Sequence, residues 1–227
     1  LKNPYPPINS PNLLPMVFDF LRKNRFFFLA YLLVLLVVGL LQVVYTQAQL
    51  MQWVNARNSP LADQLFPYIT YMGDGAFFVI LCLVMLIYKW RIGLMGFASF
   101  ALSSLTSEFF KKIIFNGSPR PLKFFEHSTF EYHIIKGLDI HSYNSFPSGH
   151  TTTAFAVFGL LAFLDKQKER GIIYLLLGVL AGYSRVYLFQ HFVEDTYAGS
   201  LIGTISSVII YLLMYRWVTN KEKIAGN

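Results

Sequence analysis

Apolar residues in this chain gather into long unbroken runs, with little alternation and no single apolar face. The runs cover 26–46, 76–88, 92–110, 151–164, 171–190 and 196–217. A helix needs about 20 apolar residues to cross the hydrocarbon of a bilayer. The second and fourth runs are short, but each can borrow length upstream, the second from 68–75 and the fourth from the tetrapeptide PSGH at 147–150. The pattern predicts an all-α polytopic membrane protein with six transmembrane helices.

Composition agrees with that pattern. The 227 residues are 55% hydrophobic and 17% aromatic, with only 14% charged, against roughly 25% charged in ordinary soluble domains. The first run is too long for a signal-peptide core and has no small-residue cleavage site after it, so it is read as a retained span. Cys82 is the single cysteine, which excludes an intramolecular disulfide; inside the second run it reads as a small apolar residue. No internal repeat, low-complexity tract or linker divides the chain. The expected organisation is an N-terminal cytoplasmic or interfacial segment at 1–25, one six-helix domain at 26–217 and a cytoplasmic tail at 218–227. Prolines bar a helix before Met16, after which 16–25 has an apolar face and a basic end, suited to the membrane interface. Ser59 followed by Pro60 is an N-cap and first-position signal, which predicts a short interfacial helix between the first two spans.

Lys and Arg accumulate on the cytoplasmic side of short loops. With six spans, most of the nineteen fall on the face carrying both termini, among them Arg22, Lys23, Arg25, Lys89, Arg91, Lys166, Lys168 and Arg170. That face is expected to be cytoplasmic in a plasma (inner) membrane. The net charge of +7 is then mainly an orientation signal, and nucleic acid is not called for as a partner. Arg57, Lys111, Lys112, Arg120, Lys123, Lys136 and Arg185 lie on the opposite, outer face together with all five histidines. Basic residues kept against the trend suggest an anion there, although Arg57, Lys123 and Lys136 also suit headgroup anchoring.

Three short stretches fall at the outer ends of three different predicted helices: KIIFNGSPRP at 112–121, PSGH at 147–150 and SRVYLFQHFVED at 184–195. Together they offer the cations Lys112, Arg120 and Arg185, the histidines His150 and His191 and the carboxylate Asp195. That inventory suits phosphate. PSGH opens a helix, where unpaired N–H groups and the positive dipole end favour an anion; Gly149 lets the backbone come close and Ser148 can donate a hydroxyl. The same tetrapeptide is also compatible with a plain capping turn.

His191 and Asp195 are four apart, so on a helix they would lie about 40° apart around the axis and touch. The carboxylate can accept the proton of one ring nitrogen and leave the other free for nucleophilic attack; Glu194 is an alternative holder. Lys112 follows Glu108 by one turn, a familiar ion-pair spacing, and Lys111 could trade roles with it. Arg120 stands between Pro119 and Pro121, which stiffen the backbone that aims its guanidinium.

The three stretches resemble the signature motifs of the type 2 phosphatidic acid phosphatase family: a Lys and Arg-Pro element, then PSGH, then Ser-Arg, five residues, His, three residues, Asp. The second and third match throughout, as Ser184-Arg185, His191 and Asp195. In the first, Lys112 and Arg120 are one residue further apart than the family's usual spacing, the extra residue falling within 116–119. The resemblance implies that His191 attacks phosphorus to form a phosphohistidine while Asp195 holds its tautomer. It implies that His150 protonates the leaving oxygen and then deprotonates water, and that Lys112, Arg120, Arg185, Ser148 and the Gly149 amide hold the phosphoryl oxygens. No cofactor and no metal is called for; His127, His133 and His141 are read as solvated loop histidines.

The implied partners are membrane lipids and a lipid phosphate or diphosphate substrate, with undecaprenyl diphosphate, phosphatidate and phosphatidylglycerol phosphate as the foremost candidates. The site would be an outer-face loop region reached sideways from the bilayer, with Phe124, Phe125, Phe130 and Tyr132 as one wall or as interfacial anchors. A lipid phosphotransferase of the same family and a non-catalytic carrier of anionic lipids are the alternative readings.

Overall fold

The apolar runs become helices in the computed structural model of the chain, which describes residues 13–219. In chain order they are α1 (Leu13–Lys23), α2 (Arg25–Val44), α3 (Gln47–Asn55), α4 (Pro60–Ile69), α5 (Gly75–Phe109), α6 (Pro121–Phe124), α7 (Gly149–Leu164), α8 (Gly171–Tyr187) and α9 (Val193–Thr219). Among the described residues, β pairing is limited to one isolated antiparallel bridge between Pro119 and Tyr143. The fold is therefore all-α. Three helical stretches are long and apolar enough to cross a membrane: α2, α9, and α5 extended to Ile114.

Length alone misdescribes α5. Lys89 has φ −147° and ψ 87°, outside the helical region. The rings of Phe78 and Phe100 lie 5.2 Å apart, whereas 22 residues of straight helix would put them about 33 Å apart. The chain therefore folds back at Lys89 into two antiparallel arms, which correspond to the apolar runs 76–88 and 92–110. Glycine permits their close approach: a Cβ on Gly96 would sit 2.7 Å from the sulfur of Cys82. At the tip of the fold-back, Arg91 lies over the rings of Trp90 and Trp217 and donates from Nη1 to the Trp217 carbonyl at 2.6 Å. This ties the hairpin to the end of α9.

Around this scaffold, α7 is the centre. Every residue from 151 to 160 is buried, as expected of a helix that is apolar on all faces, and α5, α8 and α9 pack around it. By contrast α2 buries only Phe27 and Tyr31 and exposes Leu29, Leu32, Leu33, Leu36 and Leu40. An exposed apolar face of that extent suits hydrocarbon, not water. The tightest contact is between α7 and α9, where Gly199 and Gly203 form a small-residue pair at the spacing that lets helix backbones touch. A Cβ on Gly203 would lie 2.3 Å from the Thr152 carbonyl oxygen, and one on Gly199 would lie 2.7 Å from that of Ser148.

The short helices follow local signals. Ser59 caps α4 by accepting from the Ala62 amide, with Pro60 in the first position. Helix α3 is an addition to the expected elements; it starts with a capping box between Thr46 and Gln49 at the end of the first apolar run. Helix α1 begins at Leu13, three residues before the expected Met16, because Pro15 falls in a first turn where its missing N–H costs nothing. Residues 1–12 of the expected N-terminal segment and 220–227 of the expected tail lie outside the described residues.

Gly203→Val is expected to destabilise the protein by about 3 kcal/mol, because the new side chain meets backbone that cannot move aside. The thermal midpoint in detergent measures this. Gly39→Ala is the comparison: the nearest atom there is the Tyr197 hydroxyl at 3.4 Å, so the better helix propensity of alanine should leave the midpoint unchanged or raised.

Candidate active site

The stretch PSGH opens α7 as a capped helix. Ser148 is the N-cap: its Oγ accepts from the Thr151 amide and from the Thr151 hydroxyl at 3.0 Å, which leaves its own hydroxyl proton free to donate elsewhere. The Gly149 and His150 amides precede the first intrahelical bond, the one Thr152 makes to the Ser148 carbonyl. The Ser148 amide donates to the Asp195 carbonyl at 3.0 Å. That bond joins the start of α7 to the start of α9.

The third motif is a helix end, a turn and a helix start. Helix α8 closes with the Gln190 amide bonded to the Arg185 carbonyl and the Phe189 amide to that of Val186, which is a Schellman cap. Phe189 occupies the left-handed position with φ 59°, where glycine or asparagine is usual. Its ring is fully buried and stacks on Tyr132 at 4.8 Å. The Arg185 carbonyl also accepts the His191 amide at 3.2 Å. His191 therefore stands in the turn two residues before α9, and not on the helix that the four-residue spacing predicts. Its contact with Asp195 forms all the same, Nδ1 to Oδ2 at 3.2 Å, because Asp195 sits in the first turn and reaches back. The same carboxylate oxygen accepts from the Phe192 amide at 2.9 Å and from the Ser145 hydroxyl. Glu194 points to solvent, so Asp195 is the holder.

Arg120 arrives on a strap. The Arg120 amide bonds to the Ser142 carbonyl, the Ser145 amide to that of Ser118, and the Phe146 amide to the Ser118 hydroxyl. Residues 118–120 are thus fastened along 142–146, directly before PSGH. The Arg120 side chain is buried, donating from Nε to the Tyr143 carbonyl and from Nη1 to both oxygens of Gln190. Arg185 is buried too; its Nη1 donates to the Thr70 hydroxyl at 2.7 Å and its Nε has no partner.

The lysines separate cleanly. Lys112 points outward, 71% exposed, and pairs with Glu108 at 2.8 Å. Lys111 is half-buried, with Nζ 3.6 Å from where a Gly149 Cβ would be. It is Lys111, not Lys112, that the fold brings to PSGH. Ser99, Ser103 and Ser107 are buried at four-residue intervals on the second arm of α5, and Lys111 continues that inward stripe while Lys112 continues the outward one from Glu108. The stripe is a signal present in the sequence. The chain widens into a π turn over Phe110–Ile114, a way to take up an inserted residue without breaking the helix.

His150 lies in the first turn of α7, with Nε2 3.8 Å from Asp74 Oδ2. Asp74 caps α5 by accepting from the Ala76 amide. Among the described residues, neither Arg120, Arg185 nor Lys111 pairs with a carboxylate within 4 Å. Their charges converge on His191: burial first, and then Arg120, Arg185, Lys111 and His150, hold its pKa well below the ordinary value. Burial lowers the pKa of Arg120 as well, with Asp195 opposing.

Several supporting residues are not among the motif residues: Ser145 and Gln190 stand beside PSGH and His191 in the sequence, whereas Thr70 and Asp74 come from a segment that only the fold brings close. Among the expected loop histidines, His127 is solvated. His133 is not, since its Nε2 lies 3.0 Å from Asp63 Oδ2 and its backbone exchanges two bonds with the Asn55 side chain. The four aromatics touch in succession, Phe124 to Phe125 at 5.0 Å, Phe125 to Phe130 at 5.3 Å and Phe130 to Tyr132 at 6.1 Å, with Phe125 buried and Phe124 exposed. Among the described residues, no three or more His, Cys, Asp or Glu side chains are grouped to hold a metal.

Residues 78–219 match the family model of the PAP2 superfamily. Phosphatidylglycerophosphatase B of Bacillus subtilis is 41% identical over 70 residues, covering 26% of this chain and 34% of that one. Undecaprenyl-diphosphatase BcrC of the same organism is 34% identical over 97 residues, covering 42% and 47%. The chain thus matches about a third to a half of the length of these curated relatives. Two crystal structures share the fold: the transmembrane PAP2 type phosphatidylglycerolphosphate phosphatase of Bacillus subtilis, with TM-score 0.63 and 25% identity over 86% of this chain and 96% of that one, and LpxE of Aquifex aeolicus, with TM-score 0.62 and 26% identity over 72% and 93%. The matched segment takes in Lys111, Arg120, PSGH, Arg185, His191 and Asp195 and covers more than half of the sequence, so the chain belongs to the PAP2 superfamily.

Proposed function

We propose that this chain is an integral-membrane lipid phosphatase that hydrolyses a lipid phosphate monoester or diphosphate through a phosphohistidine. The observation that carries the reading is the convergence of Arg120, Arg185 and Lys111 on the His191–Asp195 pair with no carboxylate of their own among the described residues. Buried cations without a counter-charge are costly, and a bound phosphoryl group offsets that cost. The curated relatives named above are phosphatases of lipid phosphates or diphosphates, which is consistent with it.

The chemistry follows from the donors and acceptors. His191 Nδ1–H donates to Asp195, leaving the Nε2 lone pair for attack on phosphorus. The depressed pKa keeps that imidazole neutral, hence nucleophilic. The P–N bond forms as the bond to the lipid oxygen breaks, and His150, which takes up a proton once the phosphoryl anion offsets Arg185, Lys111 and Arg120 beside it, gives that proton to the lipid oxygen. Asp195 then faces a cationic phosphoimidazole. His150, now neutral, takes a proton from water as it attacks phosphorus, and phosphate leaves with His191 restored. Arg120, Arg185, Lys111 and the Ser148–Gly149 end of α7 hold the equatorial oxygens as charge spreads over them. We assign the lysine role to Lys111.

In this reading the chain spans the membrane six times, with α2, the two arms of α5, α7, α8 and α9 as the crossings. Helices α7 and α8 have 16 and 17 residues, roughly 25 Å each, and extend to the interfaces through their caps. The Lys and Arg distribution favours cytoplasmic termini and a site on the outer face.

Phosphate release from detergent-purified protein, measured with EDTA present on phosphatidate, phosphatidylglycerol phosphate and undecaprenyl diphosphate, is the deciding experiment. His191→Ala is expected to lose about 10³-fold or more in kcat, and normal turnover by that variant would end the proposal. Product that appears only when an acceptor lipid is supplied would mark a transferase. The two lysines give a sharper check: Lys111→Ala should lose about 100-fold, whereas Lys112→Ala, which breaks only an exposed ion pair, should stay within about threefold.

A further inference from the structure

The turn at 70–74, which joins α4 to α5, precedes the segment matched by the family model, yet it packs against both α7 and α8. A Cβ on Gly73 would lie 2.5 Å from the His150 carbonyl oxygen, so the glycine lets the turn press on the start of α7. At one end of the turn Thr70 accepts from Arg185. At the other, Asp74 divides its carboxylate between two tasks. Its Oδ1 accepts from the Ala76 amide at 2.7 Å and caps α5. Its Oδ2 lies 3.8 Å from His150 Nε2, too far for a hydrogen bond and close enough for charge to act. The other charged groups acting on His150 are cations: Lys111 from the π turn after α5, Arg120 from the strap and Arg185 from α8. His191, from the turn before α9, is held neutral. Glu108 lines the cavity beside His150 but is paired with Lys112. Asp74 is therefore the carboxylate that opposes those cations at His150.

A carboxylate near phosphate-binding cations weakens the binding of an anion, so its position there calls for another reason. The reaction proposed above supplies one, because its first step needs His150 protonated while the surrounding cations disfavour an imidazolium. We infer that Asp74 is the positioning residue of His150, holding the imidazolium by its charge so that the ring can protonate the lipid oxygen. The inference rests on the phosphatase reading above. Asp74 itself takes no proton. The ring proton passes to the lipid oxygen as the bond to phosphorus breaks, and neutral His150 then deprotonates the attacking water. Each histidine thus has its own carboxylate, used differently: Asp195 hydrogen-bonds His191 and fixes its tautomer, whereas Asp74 balances the charge on His150.

Asp74→Asn removes the charge and keeps the cap, since asparagine serves at an N-cap as well as aspartate does, and its thermal midpoint should match the wild type. The test is the pH profile of phosphate release from dioleoyl phosphatidate in detergent. An anion beside His150 favours its protonated form, so the variant's alkaline limb of kcat, where His150 loses its proton, should move about one pH unit lower. Above both limbs the variant is then about tenfold slower, and below both it equals the wild type. Its KM should be unchanged or lower, because a negative charge has left the anion site. Thr70→Val is the contrast: it releases Arg185 and should raise KM severalfold with the limb in place. If the limb of Asp74→Asn stays in place, whether activity falls equally at every pH or not at all, the inference is overturned while phosphate release by the wild type upholds the phosphatase reading. If the wild type releases no phosphate from any lipid phosphate, the phosphatase reading fails, and His150 itself decides the pairing. Its ring resonances, identified by their loss in His150→Asn, should titrate about one pH unit lower in Asp74→Asn than in the wild type with inorganic phosphate present; an unchanged midpoint would reject the pairing.

Discussion

Everything at the site depends on how closely α9 approaches the start of α7. Gly199 and Gly203 let the two backbones touch, and the Ser148 amide then reaches the Asp195 carbonyl. That bond sets the helix end bearing His150 beside the helix start that holds His191. A side chain at either glycine would separate the two histidines, so a packing requirement in the bundle is also a requirement of the chemistry.

Charge is the second constraint. Arg120 and Arg185 are buried and Lys111 is half-buried, and the carboxylate beside Arg120, Asp195, already accepts from His191, Ser145 and the Phe192 amide. Neutral acceptors hold the arginines instead: the Tyr143 carbonyl, Gln190 and Thr70. Neutral partners orient a guanidinium without cancelling its charge. The site thus keeps a positive potential for an anion while each cation remains fixed in place, which is the kind of preorganisation that electrostatic catalysis needs.

The helical class, the first and last long helices and the Ser59 cap are legible in the sequence because they depend on local patterns. The two arms of α5 are legible as separate apolar runs, divided by the charged and aromatic tip at 89–91 where the chain reverses. The motif residues are legible by type, but their placement is not. His191 stands in a turn where the spacing predicts a helix, because a left-handed Phe189 ends α8 and local propensity gives no warning of it. The choice between Lys111 and Lys112 fails for a different reason. The ion-pair spacing from Glu108 draws attention to Lys112, yet that pairing is what turns it outward, and the small-residue stripe of Ser99, Ser103 and Ser107 leads to Lys111. Thr70 and Asp74 are contributed by a distant segment and carry no local signal at all.

The central position of α7 has a consequence for how the protein is made. Its neighbours are α5, which precedes it in the chain, and α8 and α9, which follow. Its Ser148 amide donates to the carbonyl of Asp195, in the first turn of α9. A nascent chain that has reached α8 therefore has the tetrapeptide but neither the histidine nor the carboxylate that completes it. The contact between the start of α7 and the start of α9 can therefore form only after α9 has been made.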